Sequence, residues 1–162
     1  MQIRQATLQD IPTITEIYNH AVVHTTAIWN DEEVTVKNRE QWLLAKQQLG
    51  YPVLVICDDE QVMGYATFGN WRDFDGYKFT VEHSVYVHPQ HHKKGLGLKL
   101  LEALILEAKK LNKHIMVAGI EAQNLGSVKL HQKLGFKEVG TFKQVGFKFN
   151  QWLDLTFFEL KL

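Results

Sequence analysis

The chain carries one cysteine, Cys57, in 162 residues. No internal disulfide is available, and such usage fits a reducing compartment. Cys57 lies in the apolar run Val53 to Cys57, where the expected thiol is buried and inert rather than nucleophilic. Charge of one sign is also missing: Lys plus Arg number 18, as do Asp plus Glu. A general nucleic-acid binder usually shows a basic excess, so nucleic acid is not an expected partner. No apolar run approaches the roughly 20 residues that span a bilayer, so no membrane partner is expected. Arg4, Gln5, Gln9 and Asp10 interrupt any apolar start, so no signal peptide is expected and the cytoplasm is the expected location. Internal repeats, low-complexity tracts and linkers are absent. What is present is 45% hydrophobic residues, which argues against disorder. Residues 1–162 read as a single domain with a real core.

Local signals divide the chain. Ile3 to Ala6 reads as a strand, and Asp10 as the cap of a helix with Pro12 in its first turn. Thr35 caps a second helix, which Gly50 ends and Pro52 stops. Val53 to Cys57 and Val62 to Phe68 form a hairpin around Asp58 to Gln61, and Thr80 to Val87 is a central strand. A third helix runs from about Gly95 to Leu111, with Leu101, Leu104, Ile105 and Ala108 as its buried stripe. Ile115 to Ile120 is a strand. Asn124 or Ser127 opens a fourth helix that stops at Gly135. Phe136 to Val139, Val145 to Phe149 and Leu153 to Leu160 read as closing strands. The order predicts a mixed α/β sheet with parallel and antiparallel pairs.

The most informative stretch joins the central strand to the third helix: Val87-His88-Pro89-Gln90-His91-His92-Lys93-Lys94-Gly95-Leu96-Gly97. A helix N-terminus carries unpaired N–H groups and partial positive charge, and so binds anions. Glycines admit close approach to the backbone, and the lysines strengthen the field. The junction therefore reads as a pyrophosphate cradle. It is neither a Walker loop nor a dinucleotide fingerprint, because Leu100 stands where the third glycine of the latter belongs. About one βαβ unit later comes Asn124-Leu-Gly-Ser127-Val-Lys-Leu-His131-Gln-Lys-Leu-Gly135-Phe136. Its Ser127, Leu130, His131 and Leu134 share one helical face.

With both motifs in place the chain resembles the GNAT superfamily of N-acetyltransferases, which use acetyl-CoA. Thr80-Val-Glu82-His83-Ser84-Val85-Tyr86-Val87 followed by Pro89 resembles its phosphinothricin and methionine sulfoximine acetyltransferase branch. Supporting marks are Ile17-Tyr18-Asn19, Thr25-Thr26-Ala27, Gly146-Phe-Lys148 and Trp152-Leu-Asp154. One departure is His92, which stands where the superfamily motif has Gln or Arg. The resemblance implies a largely antiparallel central sheet with flanking helices and acetyl-CoA in a splayed-strand cleft. It implies that Val85-Tyr86-Val87 lines the pantetheine arm, with Val85 and Val87 offering main-chain hydrogen bonds. It further implies that His92, Lys93, Lys94, Gly95, Leu96, Gly97 and Leu98 wrap the pyrophosphate. Asn124 and Ser127 are expected at the pantetheine or phosphate region, and Lys133 at a phosphate. Relatives in the branch are usually dimers, for which Trp29, Trp71 and Trp152 are candidate anchors.

The expected reaction is direct transfer from acetyl-CoA to an amine. Glu82 is the candidate general base, acting through water once burial raises its pKa; the alternative is a structural glutamate paired with a lysine or a buried donor. His131 stands where many relatives carry a tyrosine that protonates CoA sulfur; the alternative is a packing histidine. A backbone N–H near Val85 is the candidate oxyanion donor. Neighbouring histidines on a strand diverge, so no metal is expected. Acceptor choice is expected in the loop holding Arg72, Phe74, Asp75, Gly76 and Tyr77, with Arg72 clamping a carboxylate and the rings walling a small side chain. The expected substrate is a small amino acid or analogue of phosphinothricin, methionine sulfoximine or methionine sulfone type. A polyamine, a protein N-terminus, or a non-catalytic CoA-binding sensor role remain as alternatives.

Overall fold

The computed structural model describes residues 1–162. Strand β1 (Gln2–Gln5) leads through a 3-10 turn to helix α1 (Ile11–His24), and helix α2 (Val36–Gln48) follows. Then come β2 (Val53–Asp58), β3 (Gln61–Asn70) and β4 (Thr80–Val87). Helix α3 (Leu96–Lys110), β5 (Ile115–Glu121), α4 (Leu125–Lys133), β6 (Lys137–Lys148) and β7 (Gln151–Lys161) complete the chain. The seven strands form one sheet in the order β1-β2-β3-β4-β5-β7-β6. Every neighbouring pair is antiparallel except β4 and β5. This is the expected mixed, largely antiparallel sheet with helices on its faces.

The sheet is covered on both sides, which explains why β2 is an unbroken apolar run rather than an alternating one. On one face α3 packs Leu100, Leu101, Leu104 and Ala108 against Ile56, Phe68, Val81 and Met116. Each fully buried Leu, Ile, Val, Phe or Met side chain among them contributes about 1.5–3 kcal/mol of burial. On the other face Ile11, Ile14 and Ile17 of α1 and Leu43 of α2 meet Val53, Val55, Val62 and Tyr65.

Thr35 caps α2 as expected, accepting from the Asn38 amide at 3.1 Å. Asp10 does not cap α1 through its side chain. Its carboxylate instead pairs with Arg4 at 2.7 Å and accepts from the Thr7 amide at 2.8 Å, closing a capping box one turn earlier. The three strands expected after α4 are two. Residues 140–144, read as a break, continue β6 through register shifts between Glu138/Gly140 and Phe142/Gly146, with Gln144 at φ 52°. A bulge absorbs extra residues without ending the pairing.

The feature that positions the site is the short pairing of β4 with β5. Only Thr80, Val81 and Glu82 find partners on β5. From His83 onward β4 stays bonded to β3 but leaves β5, which is bonded to β7 along its whole length. A wedge opens between two neighbouring parallel strands.

Candidate active site

At the wide end of the wedge lies the turn between β4 and α3. Lys93 and Gly95 take left-handed conformations, φ 62° and 72°. Gly95 is the N-cap of α3 and makes no side-chain cap; the first backbone bond into the helix is from the Lys99 amide to Gly95 O at 3.3 Å. The amides of Leu96, Gly97 and Leu98 therefore have no backbone partner in the molecule. A side chain built on Gly95 would enter open space, while one on Gly97 would meet Leu130 Cδ1 at 3.3 Å. The cavity here, about 480 Å³, joins the two motifs: His92, Lys93 and Gly95 to Leu98 form one wall, Asn124, Ser127 and His131 the other, with Val85 and Val87 between.

Several of the expected site residues also have partners within the chain, and two lie outside the cavity. His92 Nε2–H donates to Val87 O at 2.9 Å, so this histidine braces the turn and the Val87 carbonyl is already taken. Lys94 is drawn to His91 Nδ1 at 3.2 Å and, with Lys133, lies outside the cavity lining. Leu96 buries its side chain in the core and offers only its amide. Asn124 Oδ1 caps α4 by accepting from the Ser127 amide at 3.1 Å. Tyr86 lies on the opposite face of β4 from Val85 and Val87, against Tyr65 at 5.3 Å between ring centroids.

The wedge narrows to a cleft of about 230 Å³ lined by Ala27, Glu82 to Tyr86, Gly119 to Glu121, Asn124, Ser127 and His131. Glu82 is its end wall. Burial raises the pKa of this carboxyl. It fits because β5 carries glycine opposite: a Cβ on Gly119 would lie 3.1 Å from Glu82 Oε1.

His131 is 2% exposed and both its ring nitrogens are engaged. Nδ1–H donates to Ser127 O at 2.7 Å, since a carbonyl only accepts. Nε2 is thereby the acceptor, and His83 Nε2–H donates to it at 2.9 Å. His83 Nδ1 is left a buried, unpartnered lone pair. Burial and the neighbouring His131 push His83 down to about 3, and burial lowers His131. Both rings are neutral at pH 7. The proton expected to go from an imidazolium at His131 to CoA sulfur is therefore not available in this arrangement. The partner, His83, was legible only as a poor metal ligand, because its contact with His131 spans 48 residues.

Beyond Glu82 opens a larger cavity of about 1040 Å³. Arg72, Phe74 and Tyr77 line it as expected. The Arg72 guanidinium lies over the Trp71 and Tyr77 rings, at 5.6 and 6.0 Å, and none of the five ion pairs of the chain involves it. Asp75 and Gly76 do not line the cavity; of the 3-10 turn over Asp75–Tyr77 only Tyr77 reaches it. Their place is taken by Trp71, Asp73, Ile115 and Val117, and by Val139, Phe142 and Phe157 from the C-terminal hairpin. Trp29 is used inside the chain, against Gly146, rather than as an outward anchor.

The sheet that splays beside a strand–turn–helix with unpaired amides is matched by known proteins. The model of the acetyltransferase (GNAT) domain matches residues 3–157. The chain belongs to the GNAT acetyltransferase family. It is an N-acetyltransferase, and acetyl-CoA is its acyl donor. This acetyltransferase is 59% identical over 162 residues to an L-methionine sulfoximine/L-methionine sulfone acetyltransferase of Salmonella typhimurium strain LT2, covering 100% of this chain and 95% of that one. It is 34% identical to a phosphinothricin N-acetyltransferase of Streptomyces coelicolor, covering 100% of this chain and 96% of the relative. A solved acetyltransferase from Salmonella typhimurium, with acetyl-CoA as its cofactor, superposes with a TM-score of 0.98 at 59% identity, covering 99% of this chain and 93% of that one. The unpaired amides at Leu96 to Leu98 and the open space above Gly95 suit the diphosphate of that cofactor.

Proposed function

We propose that the acetyltransferase acts on the α-amino group of a small amino acid or analogue, of the methionine sulfone, methionine sulfoximine or phosphinothricin type. The observation that carries this reading is the position of Glu82. It is the one ionisable side chain shared by the narrow cleft, which leads back to the phosphate turn, and the larger cavity, which holds Arg72. An amine held in that cavity by its carboxylate on Arg72 reaches the thioester only past Glu82.

Acetyl-CoA would supply an acetyl group activated as a thioester: the amine nitrogen bonds to the carbonyl carbon, the C–S bond breaks, and CoA leaves as the thiol, taking up the proton that the acetylated nitrogen releases. The amides of Leu96, Gly97 and Leu98 hold its diphosphate, and the wedge beside Val85 receives its arm. Glu82, with a raised pKa, accepts the ammonium proton through water and leaves a neutral amine. A backbone N–H at Val85 faces the developing oxyanion. His131, neutral and braced by His83, orients the α4 wall.

The chain works as one domain, residues 1–162, in the cytoplasm. It pairs as a homodimer through the β6–β7 hairpin, whose Phe142, Phe147 and Trp152 are 59%, 52% and 64% exposed. No helix is long and apolar enough to cross a membrane.

The test is CoA thiol release with a panel of methionine sulfone, methionine sulfoximine, phosphinothricin, spermidine and a short peptide. Turnover highest on the amino-acid analogues supports the reading. Turnover only on spermidine or peptide overturns the acceptor, and acetyl-CoA binding with no turnover on any amine overturns the enzyme.

A further inference from the structure

Two segments marked in the sequence, Thr25-Thr26-Ala27 and Gly146-Phe147-Lys148, take no part in the chemistry above. In the structure they dock on each other. Lys148 is 4% exposed although it carries an ammonium group. Its Nζ donates to Thr25 O at 2.6 Å and also to Ile28 O. Burial lowers its pKa, against the opposing charge of Asp31 on the same loop. Beside it, the Trp29 ring rests directly on Gly146, and any side chain there would enter the space of the ring. Trp29 Nε1–H donates to Thr26 O at 2.8 Å. Ile28 is buried against Ala21 and Val22.

A buried charge is costly unless its donors are used, and two inward-turned carbonyls need donors. One ammonium satisfies both needs with charge-assisted bonds. The loop so fixed is not remote from the chemistry. Ala27 lines the narrow cleft with Glu82 and His131, and Thr26 lines the adjoining cavity of about 420 Å³ that shares Glu121.

We propose that Lys148 and Gly146 form a latch that holds residues 25–29 as a fixed roof over the reacting end of the cleft. Lys148 is a positioning residue: it sets how tightly the acceptor is held and keeps water from the thioester. With the roof loose, water replaces the amine. The thioester C–S bond breaks, acetate forms, and CoA leaves as the thiol. The latch rests on the reading of the Glu82 cleft as the reaction site.

The experiment compares wild type, Lys148→Met and Trp29→Phe as full chains, with methionine sulfone as acceptor. Thiol release is followed with and without the amine, and acetyl-CoA affinity is measured by calorimetry. In Lys148→Met the KM for the amine rises about tenfold and amine-independent thiol release rises several-fold, while acetyl-CoA affinity stays within about twofold. Trp29→Phe moves both readouts the same way by about threefold. A merely structural lysine would change folded yield without this split between acceptor and cofactor. If Lys148→Met does not fold, Trp29→Phe decides. An active wild type whose folded variants match it in acceptor KM and in amine-independent release overturns the latch alone. A wild type inactive on every amine overturns the reading of the cleft and the latch with it.

Discussion

At the turn between β4 and α3 the groups left free for a ligand are main-chain amides of consecutive residues, Leu96 to Leu98, presented by one helix start. At the larger cavity beyond Glu82 the lining groups are side chains drawn from the 71–77 loop, β4, β5, β6 and β7. On the proposed reading the first end depends on backbone shape more than on side-chain identity, and His92 contributes to that shape by donating to Val87 O. The second end has no backbone signature, and each wall residue is a separate determinant. On the proposed reading, one scaffold holds a constant cofactor and leaves the acceptor adjustable.

That contrast is open to attack at the boundary between the two ends. Glu82→Gln is expected to lower kcat about a thousandfold with acetyl-CoA affinity nearly unchanged. A large affinity loss with turnover intact would place Glu82 at the cofactor end. The wild-type rate should rise with pH through an apparent pKa above the ordinary carboxylate range, because burial raises Glu82, and this limb should vanish in the variant.

At the cofactor end, Gly97→Val should weaken acetyl-CoA binding about a hundredfold by calorimetry, as the added methyls crowd the turn and press on Leu130. Unaltered binding would mean that the amides there hold nothing.

The wall between the ends has its own signature. His83 is held neutral far below its unfolded pKa, so between about pH 3 and 6.5 the unfolded chain binds the extra proton. Stability is then full above the unfolded value and is lost as pH falls. Denaturant titrations should show a loss of about 2 kcal/mol from this group between pH 7 and pH 5. His83→Leu should flatten that part of the profile; an unchanged slope would mean that His83 is not neutral in the fold.

The smallest effect belongs to the acceptor end. Arg72→Ala should raise KM about tenfold for amines that carry a carboxylate, and much less for their amides. Equal effects on both would show that Arg72 clamps no carboxylate.

The legibility of the chain follows the same division. Thr80 to Val87 is a strand over the expected residues, and α3 begins and ends within one residue of expectation, because the glycine, the lysines and the apolar stripe act locally. The β6 strand was read as two pieces, since a bulged strand and a turn share the same small and polar residues between positions 140 and 144. Asp75 and Gly76 were placed in the cavity by adjacency to Arg72, but of the 3-10 turn over Asp75–Tyr77 only Tyr77 lines it. Phe142, Phe157 and Val139 were invisible as cavity walls because they lie more than sixty residues from Arg72 in the sequence.

By itself the sequence determined the order of elements through α4, the mixed sheet and the glycine-containing turn that opens α3. Each of these is a property of neighbouring residues: hydrophobic period, capping and backbone freedom. Only the tertiary structure decided that β4 parts from β5 after Glu82, that His83 takes up the second ring nitrogen of His131, and that Lys148 reaches back to Thr25. These are contacts between segments 35 to 123 residues apart, and no local preference encodes which distant partner closes a hydrogen bond.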